Sequence, residues 1–389
     1  MGLIKTLSGQ FAKIKVVGIG GGGNNAINSM IDADNINGVD FIAINTDSQA
    51  LLNSLSPIKI QLGEKLTKGL GSGGNPQIGQ QAAEESQDRI REILQDTDMV
   101  FLTGGMGGGT CTGAAPIIAK IAKKEFNILT IATVTKPFLF EGTRRMSNAL
   151  EGISQLKEYV DTLIIIPNQK IMEVVNSKAT ILEAFKIADS VLSRGTKAIA
   201  DLITKPGLIN LDFADIKSVM SNAGSALMGV GEAKGENRAQ KAVKRAIDSP
   251  LIEADINGAR GVLLNITGGP DLTMAEIEES AKTITQYAAP DANIIFGTSI
   301  EEGLKGSIKI TLIATGFSLD QSSTFNRLTR QPISTKQPQK TTPAPTPKLL
   351  KPIKSADRQK IKKILGDQPI PEGIDIVDEL DIPTFLRKK

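Results

Sequence analysis

Residues 14–25 read IKVVGIGGGGNN: a β-branched run from Ile14 to Ile19 passes straight into Gly20, Gly21, Gly22 and Gly23, then Asn24 and Asn25. With Gly18 this satisfies G-x-G-x-x-G. Where a strand ends in glycines that open a helix, unpaired amides point outward and the helix dipole favours an anion, so the stretch predicts a phosphate-binding turn. The same alternation continues along the chain. VDFIAIN (39–45), DMVFLT (98–103), ILTIATVT (128–135) and TLIIIP (162–167) are short apolar runs, and segments such as NPQIGQQAAEESQDRIREIL (75–94) between them carry helical spacing. Strands without a polar face must be covered on both sides. The fold class expected is therefore α/β, with a doubly wound parallel-sheet nucleotide-binding domain over residues 13–179 behind a flexible N-terminus, 1–12.

Beyond it, TILEAFKIADSVLSRGTKAIADLIT (180–204) keeps Ile181, Phe185, Ala188, Val191, Leu192, Ile199 and Leu202 on one stripe, which predicts a long central helix ending before Pro206. A short helix near Phe213–Asn222 follows. SALMGV, GVLLNIT, NIIFGTS and IKITLIAT then read as strands, and NRAQKAVKRAI and TMAEIEESAKTITQYA as helices. These make a second, smaller α/β domain over 205–317. Residues 318–370 are polar and rich in Pro and Thr, which predicts a disordered C-terminal linker. Residues 371–389 end in a short hydrophobic peptide suited to docking on a partner.

Composition narrows the chemistry. The chain has 389 residues and no histidine, which excludes Ser–His or Cys–His nucleophiles and histidine metal ligands. Its single cysteine, Cys111, forbids an intrachain disulfide. Net charge is +3, yet residues 318–389 hold 14 Lys/Arg against 8 Asp/Glu, leaving the body mildly acidic. Nucleic-acid binding by the body is not expected, nor is direct membrane insertion, because no apolar run reaches the ~18 residues of a span.

A second glycine cluster, Gly104-Gly105-Met106-Gly107-Gly108-Gly109-Thr110-Cys111-Thr112-Gly113, also joins a strand to a helix. One such loop suits an NAD-dependent oxidoreductase, with Asp47 as the ribose acid. Two loops at one sheet edge suit a nucleoside di- or triphosphate, which needs amides from more than one side. No G-x-x-x-x-G-K-[ST] loop occurs.

GGMGGGTCTGAAP (104–116), FEGTRR (140–145), LINLDFADIKSVM (208–220), ITGGPDL (266–272) and the ending DIPTFL (381–386) occur in that order. Carrying them, the chain resembles the FtsZ family, the bacterial cell-division GTPases homologous to tubulin, over about residues 12–317 and the final peptide. The resemblance implies GTP or GDP as ligand, Mg²⁺ held largely by phosphates and water, and head-to-tail self-assembly into a cytoplasmic ring at midcell. It implies that Gly21, Gly22, Gly23, Asn24, Asn25, Gly107, Gly108, Gly109, Thr110 and Cys111 surround the phosphates, with Asn25 completing the base contacts. Glu141 is the implied ribose contact and Arg145 a cation beside the nucleotide. Phe185 and Asp189, four apart on one helix face, can stack on a base and accept from the guanine N1–H and N2–H₂ donors. Core packing is the competing role for Phe185, which also lies in the apolar stripe.

Asn210, Asp212 and Asp215 read locally as a helix N-cap. By resemblance they enter the next subunit's site and polarise the water that attacks the γ-phosphate. The final peptide, through Asp381, Ile382, Pro383, Phe385 and Leu386, is the implied dock for membrane anchors and regulators. Cys111 departs from the glycine of the signature. If that position takes φ > 0, its Cβ costs about 1 kcal/mol or more. At a helix start its thiol is expected to be accessible and acidified by the dipole. The alternatives to a self-assembling GTPase are the NAD enzyme and a nucleotide-binding scaffold without turnover.

Overall fold

Ile14–Ile19 (β1) alternates between two cores, Ile14 and Val16 in one, Val17 and Ile19 in the other. Met99–Gly105 (β4) does the same, with Met99 and Phe101 against Val100 and Leu102. That alternation is why these strands carry no polar face: both faces are under helices. The computed structural model describes residues 12–32, 36, 38–174, 180–204, 212–249 and 256–317. The expected flexible N-terminus, linker and docking peptide with Asp381, Ile382, Pro383, Phe385 and Leu386 lie outside them, as does Asn210.

The elements follow in order. After β1 come Gly20–Asp32 (α1), Val39–Asn45 (β2), Ser48–Leu52 (α2), Ile58–Gln61 (β3), Glu64–Thr67 (α3), Pro76–Glu85 (α4), Gln87–Leu94 (α5) and β4. Thr110–Lys120 (α6), Leu129–Lys136 (β5), Thr143–Lys157 (α7), Thr162–Pro167 (β6), Asn168–Val174 (α8) and the 24-residue Ile181–Thr204 (α9) complete the first half. Phe213–Met220 (α10), Gly224–Lys234 (β7), Arg238–Ile247 (α11), Ala259–Gly268 (β8), Met274–Thr285 (α12), Ala288–Ile300 (β9) and Ser307–Thr315 (β10) form the second.

One ten-stranded sheet results, in the order β3-β2-β1-β4-β5-β6-β7-β10-β8-β9. The first six strands are parallel, so the loops after β1, β4, β5 and β6 share one edge. The second half joins through three parallel pairs between β6 and β7, beginning at Thr162 and Gly224, and turns antiparallel at β10. The helix expected over 75–94 is interrupted at Ser86. Its hydroxyl accepts from Gly63 N at 2.9 Å, and the residue leaves helical geometry there.

Helix α9 crosses the molecule. Its 24 residues span about 36 Å at 1.5 Å per residue. Phe185 meets Phe138, just beyond the carboxyl end of β5, and Thr204 meets Gly38, just before the amino end of β2. The helix therefore ties the carboxyl edge of the sheet to the amino edge.

In the second half Arg238 is buried and held by two carboxylates. Its Nε bonds Glu276 Oε1 at 2.6 Å and its Nη1 bonds Asp271 Oδ2 at 2.6 Å. Asp271 Oδ2 also accepts from Gly306 N at 3.1 Å, so the group clips α11, α12 and the approach to β10 together. The hydrogen bonds from Arg238 hold both carboxyls below their ordinary pKa. Their contribution to stability is thus full above the ordinary glutamate value of 4.5 and is lost as pH falls through the lowered values. Arg238→Ala should lower the urea midpoint clearly at pH 7, and the gap from wild type should narrow at pH 3. Equal gaps at both pH values would contradict this.

Candidate nucleotide site

Two helix starts meet above the β1 and β4 ends, where Ile19 is in register with Gly104. Gly20 takes φ +71 with its Cα hydrogen toward Cys111 N, and a Cβ on Gly22 would stand 3.4 Å from Gly105 N. A Cβ on Gly18 would strike Gly23 O, and one on Gly23 would strike Thr103 O, so glycine there lets α1 close onto the strands. Gly21 and Gly108 differ. Apart from the neighbouring backbone, no described residue lies within 4 Å of a Cβ at either, so that side of each is open. Among the described residues the amides of Gly21, Gly22, Gly108, Gly109, Thr110 and Cys111 have no acceptor in the chain. Two helix starts thus present free donors to one space, which is what a polyphosphate requires.

Gly107 and Asn24 play other parts than expected. The Gly107 amide donates to Thr112 Oγ1 at 2.8 Å, and its φ of +96 brings it against Arg145. It shapes the loop and is no phosphate donor in this conformation. The Asn24 side chain is buried. Oriented by its partners, its amide donates to Gly18 O (3.0 Å) and Gly20 O (3.1 Å) and accepts from Asn45 Nδ2 (3.3 Å), bracing the loop from beneath. Asn25 is exposed on the next position of α1.

Cys111 corrects the expectations for that position. It lies in α6 without positive φ, so no left-handed cost arises. Its side chain is 4% exposed and belongs to the core with Ala114, Ala115 and Ile118. Burial pushes its thiol pKa up to about 12. The helix dipole does not overcome that desolvation, and the thiol is neither accessible nor acidified. Alkylation should therefore be slow both with and without nucleotide. Cys111→Gly should not tighten nucleotide binding, and it should lower stability by about 1–3 kcal/mol through lost packing and helix propensity. Labelling that is fast without nucleotide would reverse this reading.

The base and ribose end is assembled beside α9. Phe138 is fully buried, stacks on Phe140 at 5.0 Å and meets Phe185 edge-on at 5.3 Å. Phe185 keeps 37% exposure, so it is edge-packed but free to take a ring. One turn on, Asp189 is half-buried with no hydrogen-bond or ion-pair partner among the described residues. Burial pushes its pKa up to about 7. A buried carboxylate lacking donors is costly unless a ligand brings them. Glu141 accepts from Phe138 N at 2.7 Å and pairs with Arg145 Nε at 3.1 Å, which fixes both side chains next to the Gly107 turn.

Two features went unread in the sequence. A third glycine-rich loop, Gly69 to Gly74, has φ > 0 at Gly69, Gly71, Gly73 and Gly74. It packs Ser72 on the second cluster, where Thr110 Oγ1 meets Thr46 Oγ1 at 2.7 Å and Ser72 Oγ at 3.2 Å. The run GLGSGGNP was the available signal. Asn168, directly after β6, is buried with Oδ1 unpartnered among the described residues.

Asp212 and Asp215 lie elsewhere. They form a reciprocal capping box at the start of α10: Asp215 N donates to Asp212 Oδ1 at 2.8 Å, and Asp212 N to Asp215 Oδ2 at 3.2 Å. The local N-cap reading is therefore correct, and the second oxygen of each exposed carboxylate has no partner among the described residues. Phe213 shares a cleft with Lys13 and Asp98, which precede β1 and β4. This places the pair at the amino edge, across the sheet from the glycine loops. Asp47, the ribose acid an NAD enzyme would need, caps α2 by accepting from Gln49 N and Ala50 N.

The β3-β2-β1-β4-β5-β6 order is shared with dinucleotide enzymes and does not by itself choose between the nucleotides. Comparison with known proteins does. Residues 13–176 match the GTPase domain of the Tubulin/FtsZ family, and residues 224–318 match the C-terminal domain of the FtsZ family. The chain is similar to M. jannaschii FtsZ solved as an empty dimer, at 48% identity and TM-score 0.76, over 80% of this chain and 89% of that one. A point mutant of M. jannaschii FtsZ matches at 49% identity and TM-score 0.76, over 79% and 91%. CetZ2 from Haloferax volcanii, solved as a GTPγS-bound protofilament, shares the fold at 18% identity and TM-score 0.68, over 81% and 97%. Among the described residues no helix is long and apolar enough to cross a membrane. The paired glycine loops, the partnerless carboxylate beside a free phenylalanine and these matches agree: the chain belongs to the Tubulin/FtsZ family and is a GTPase that binds GTP and GDP.

Proposed function

We propose that the chain assembles head to tail into filaments of the cytoplasmic division ring at midcell, and that each GTP is hydrolysed between two subunits. The observation that carries this reading is the separation of the two halves of the chemistry. The phosphate and base groups sit at the carboxyl edge, while Asp212 and Asp215 sit at the amino edge, at the far end of a helix about 36 Å long. No chain can bring its own pair to its own γ-phosphate. Stacking the amino edge of one copy on the carboxyl edge of the next does so, and a repeated heterologous contact of that kind makes a filament. Asn210 lies between α9 and α10 and joins Asp212 and Asp215 in orienting the attacking water. The amides of Gly21, Gly22 and Gly108 to Cys111 form the phosphate cradle, with Gly107 and Asn24 shaping and bracing its loops, Glu141 and Arg145 the ribose side, Phe185 and Asp189 the guanine side.

Mg²⁺ fits a site of this kind as a companion of the nucleotide. Phosphate oxygens and water would hold it, beside the paired hydroxyls of Thr46 and Thr110. When bound, it neutralises phosphate charge.

The test is sedimentation with parallel phosphate release under GTP, GDP and ATP. GTP alone should give both pelleting and phosphate, with release per subunit rising with protein concentration. Release independent of concentration, with no pellet, would remove the interface from the chemistry.

The tail should be separable. Removing residues 318–389 takes away the docking peptide for membrane anchors and regulators but none of the nucleotide groups. GTPase and sedimentation should stay within about twofold of the full chain while capture of tail-dependent partners fails. Loss of nucleotide binding on truncation would contradict this division.

A further inference from the structure

Thr46, Ser72 and Thr110 come from three loops and meet in one buried hydroxyl cluster at the carboxyl edge. Thr46 follows β2, Thr110 opens α6 and Ser72 belongs to the third glycine loop. Thr110 Oγ1 lies 2.7 Å from Thr46 Oγ1 and 3.2 Å from Ser72 Oγ. Among the described residues each of those two outer hydroxyls has Thr110 Oγ1 as its one partner. Thr46 is also held through its backbone. Its amide donates to Asn45 Oδ1 at 2.9 Å, and its carbonyl accepts from Gly71 N at 3.1 Å, beside Ser72. Asn45 in turn donates to Asn24, so the three glycine loops are linked through this residue.

Counting protons fixes the directions of these bonds. Three hydroxyl protons face two oxygen–oxygen contacts, so one must leave the cluster. Thr46 is fully buried. Were Thr110 to donate to it, the Thr46 proton would be left buried with no acceptor, a penalty that folded proteins avoid. Donation therefore runs from Thr46 to Thr110, and by the same count from Ser72, which is 5% exposed. A hydroxyl oxygen has two lone pairs, and both are then filled. The proton that leaves belongs to Thr110, the most open of the three at 9%. Its chain neighbours Gly109 and Cys111 contribute amides with no acceptor among the described residues.

We propose that Thr46 and Ser72 are positioning residues for the nucleotide: they donate to Thr110 Oγ1 and so turn its hydroxyl into a dedicated donor to a phosphate oxygen. The phosphate meets a donor whose direction is set before it arrives, which spares the cost of ordering one on binding. Thr110 then has no lone pair left for Mg²⁺, which stays with phosphate oxygens and water. This role rests on the phosphate cradle proposed above.

The experiment is a mutant cycle in GTP affinity, measured in EDTA on full-length protein too dilute to form filaments and repeated with Mg²⁺. Thr110→Val should weaken binding by about 10- to 100-fold, the scale of a hydrogen bond lost from a charged group. Thr46→Val should weaken it about tenfold and Ser72→Ala about threefold, since each leaves Thr110 free to turn its proton inward. Thr46→Ser keeps the hydroxyl and should restore most of the loss. On the Thr110→Val background, Thr46→Val should cost less than about twofold more, because it acts only through that hydroxyl. Ser72→Ala carries the same cycle should Thr46→Val not fold. Wild-type affinity in Thr110→Val would overturn the place of Thr110 in the cradle. A loss in Thr110→Val with none in Thr46→Val or Ser72→Ala would leave the cradle standing and overturn the positioning. Losses that multiply in the double variant overturn it equally, since they mark Thr46 as merely structural. A loss seen with Mg²⁺ and not in EDTA would make Thr110 a metal ligand and overturn its role as donor.

Discussion

Asp212→Ala should bind GTP as the wild type does and hydrolyse it about 10²–10⁴-fold more slowly, the usual cost of removing a positioned acid–base group. Its own pocket is untouched, because the substitution lies at the opposite edge of the sheet. Filaments should form and outlast wild-type filaments, since the step that weakens their contacts is slowed. Asp212 also caps α10 through the bond from Asp215 N, and losing a cap costs about 1 kcal/mol by itself. Asp212→Asn separates the two roles. Asparagine caps as well as aspartate, so this variant should keep the stability of wild type and still turn over slowly. Wild-type turnover in Asp212→Asn with slow turnover in Asp212→Ala would reduce the residue to a cap.

Asp189→Asn should weaken GTP binding by about 10- to 100-fold, the range for a hydrogen-bonded charged partner lost from a half-buried site. Its amide presents a donor where guanine also presents donors. The pH dependence gives a second reading. Asp189 has its pKa pushed up from 3.8 to about 7 by burial, and the guanine donors bind only the ionised form. Wild-type affinity should therefore fall as pH drops below about 7, approaching tenfold per unit, while that of Asp189→Asn stays flat. Stability of the nucleotide-free protein moves the other way. A carboxyl whose folded pKa lies above its unfolded value loses stability as pH rises from about 4 to 7, so Asp189→Asn should melt higher than wild type at neutral pH. Nucleotide titrations between pH 5.5 and 8 with matched melting curves check both. A wild-type affinity independent of pH would separate Asp189 from the base.

Much of this was legible because both faces of the sheet are buried. IKVVGI, VDFIAIN and TLIIIP coincide with β1, β2 and β6, where continuous apolar residues leave no other placement. The long helix was legible from its stripe, which runs from Ala188 and Leu192 to Ile199 and Leu202 in the core. The break at Ser86 was not, because its cause is a bond from Gly63, 23 residues away, and no local breaker marks it. Short edge strand β3 (Ile58–Gln61) is half exposed and shows little pattern. Cys111 was misread from its place in a glycine run, although Cys111, Ala114 and Ile118 already formed a helical stripe pointing inward. The capping box of Asp212 and Asp215 could be read locally. A role in a neighbouring subunit could not, since no property of one chain's sequence encodes which edge meets which, and only the resemblance suggested it.

The central claim is that one active site needs two chains, and a mixture tests it most directly. Asp212→Ala keeps an intact pocket. Gly108→Asp keeps Asp212 but places a carboxylate beside the phosphate-binding amides, and it should fold because a Cβ there meets no described residue beyond its chain neighbours within 4 Å. Each chain alone should be nearly inactive. Mixed at equal amounts above the assembly concentration, with co-sedimentation showing that both enter the pellet, they should recover a measurable fraction of wild-type turnover, and it should vanish more steeply than first order on dilution. No recovery although both chains co-sediment, or recovered turnover that stays first-order in protein, would contradict the shared site.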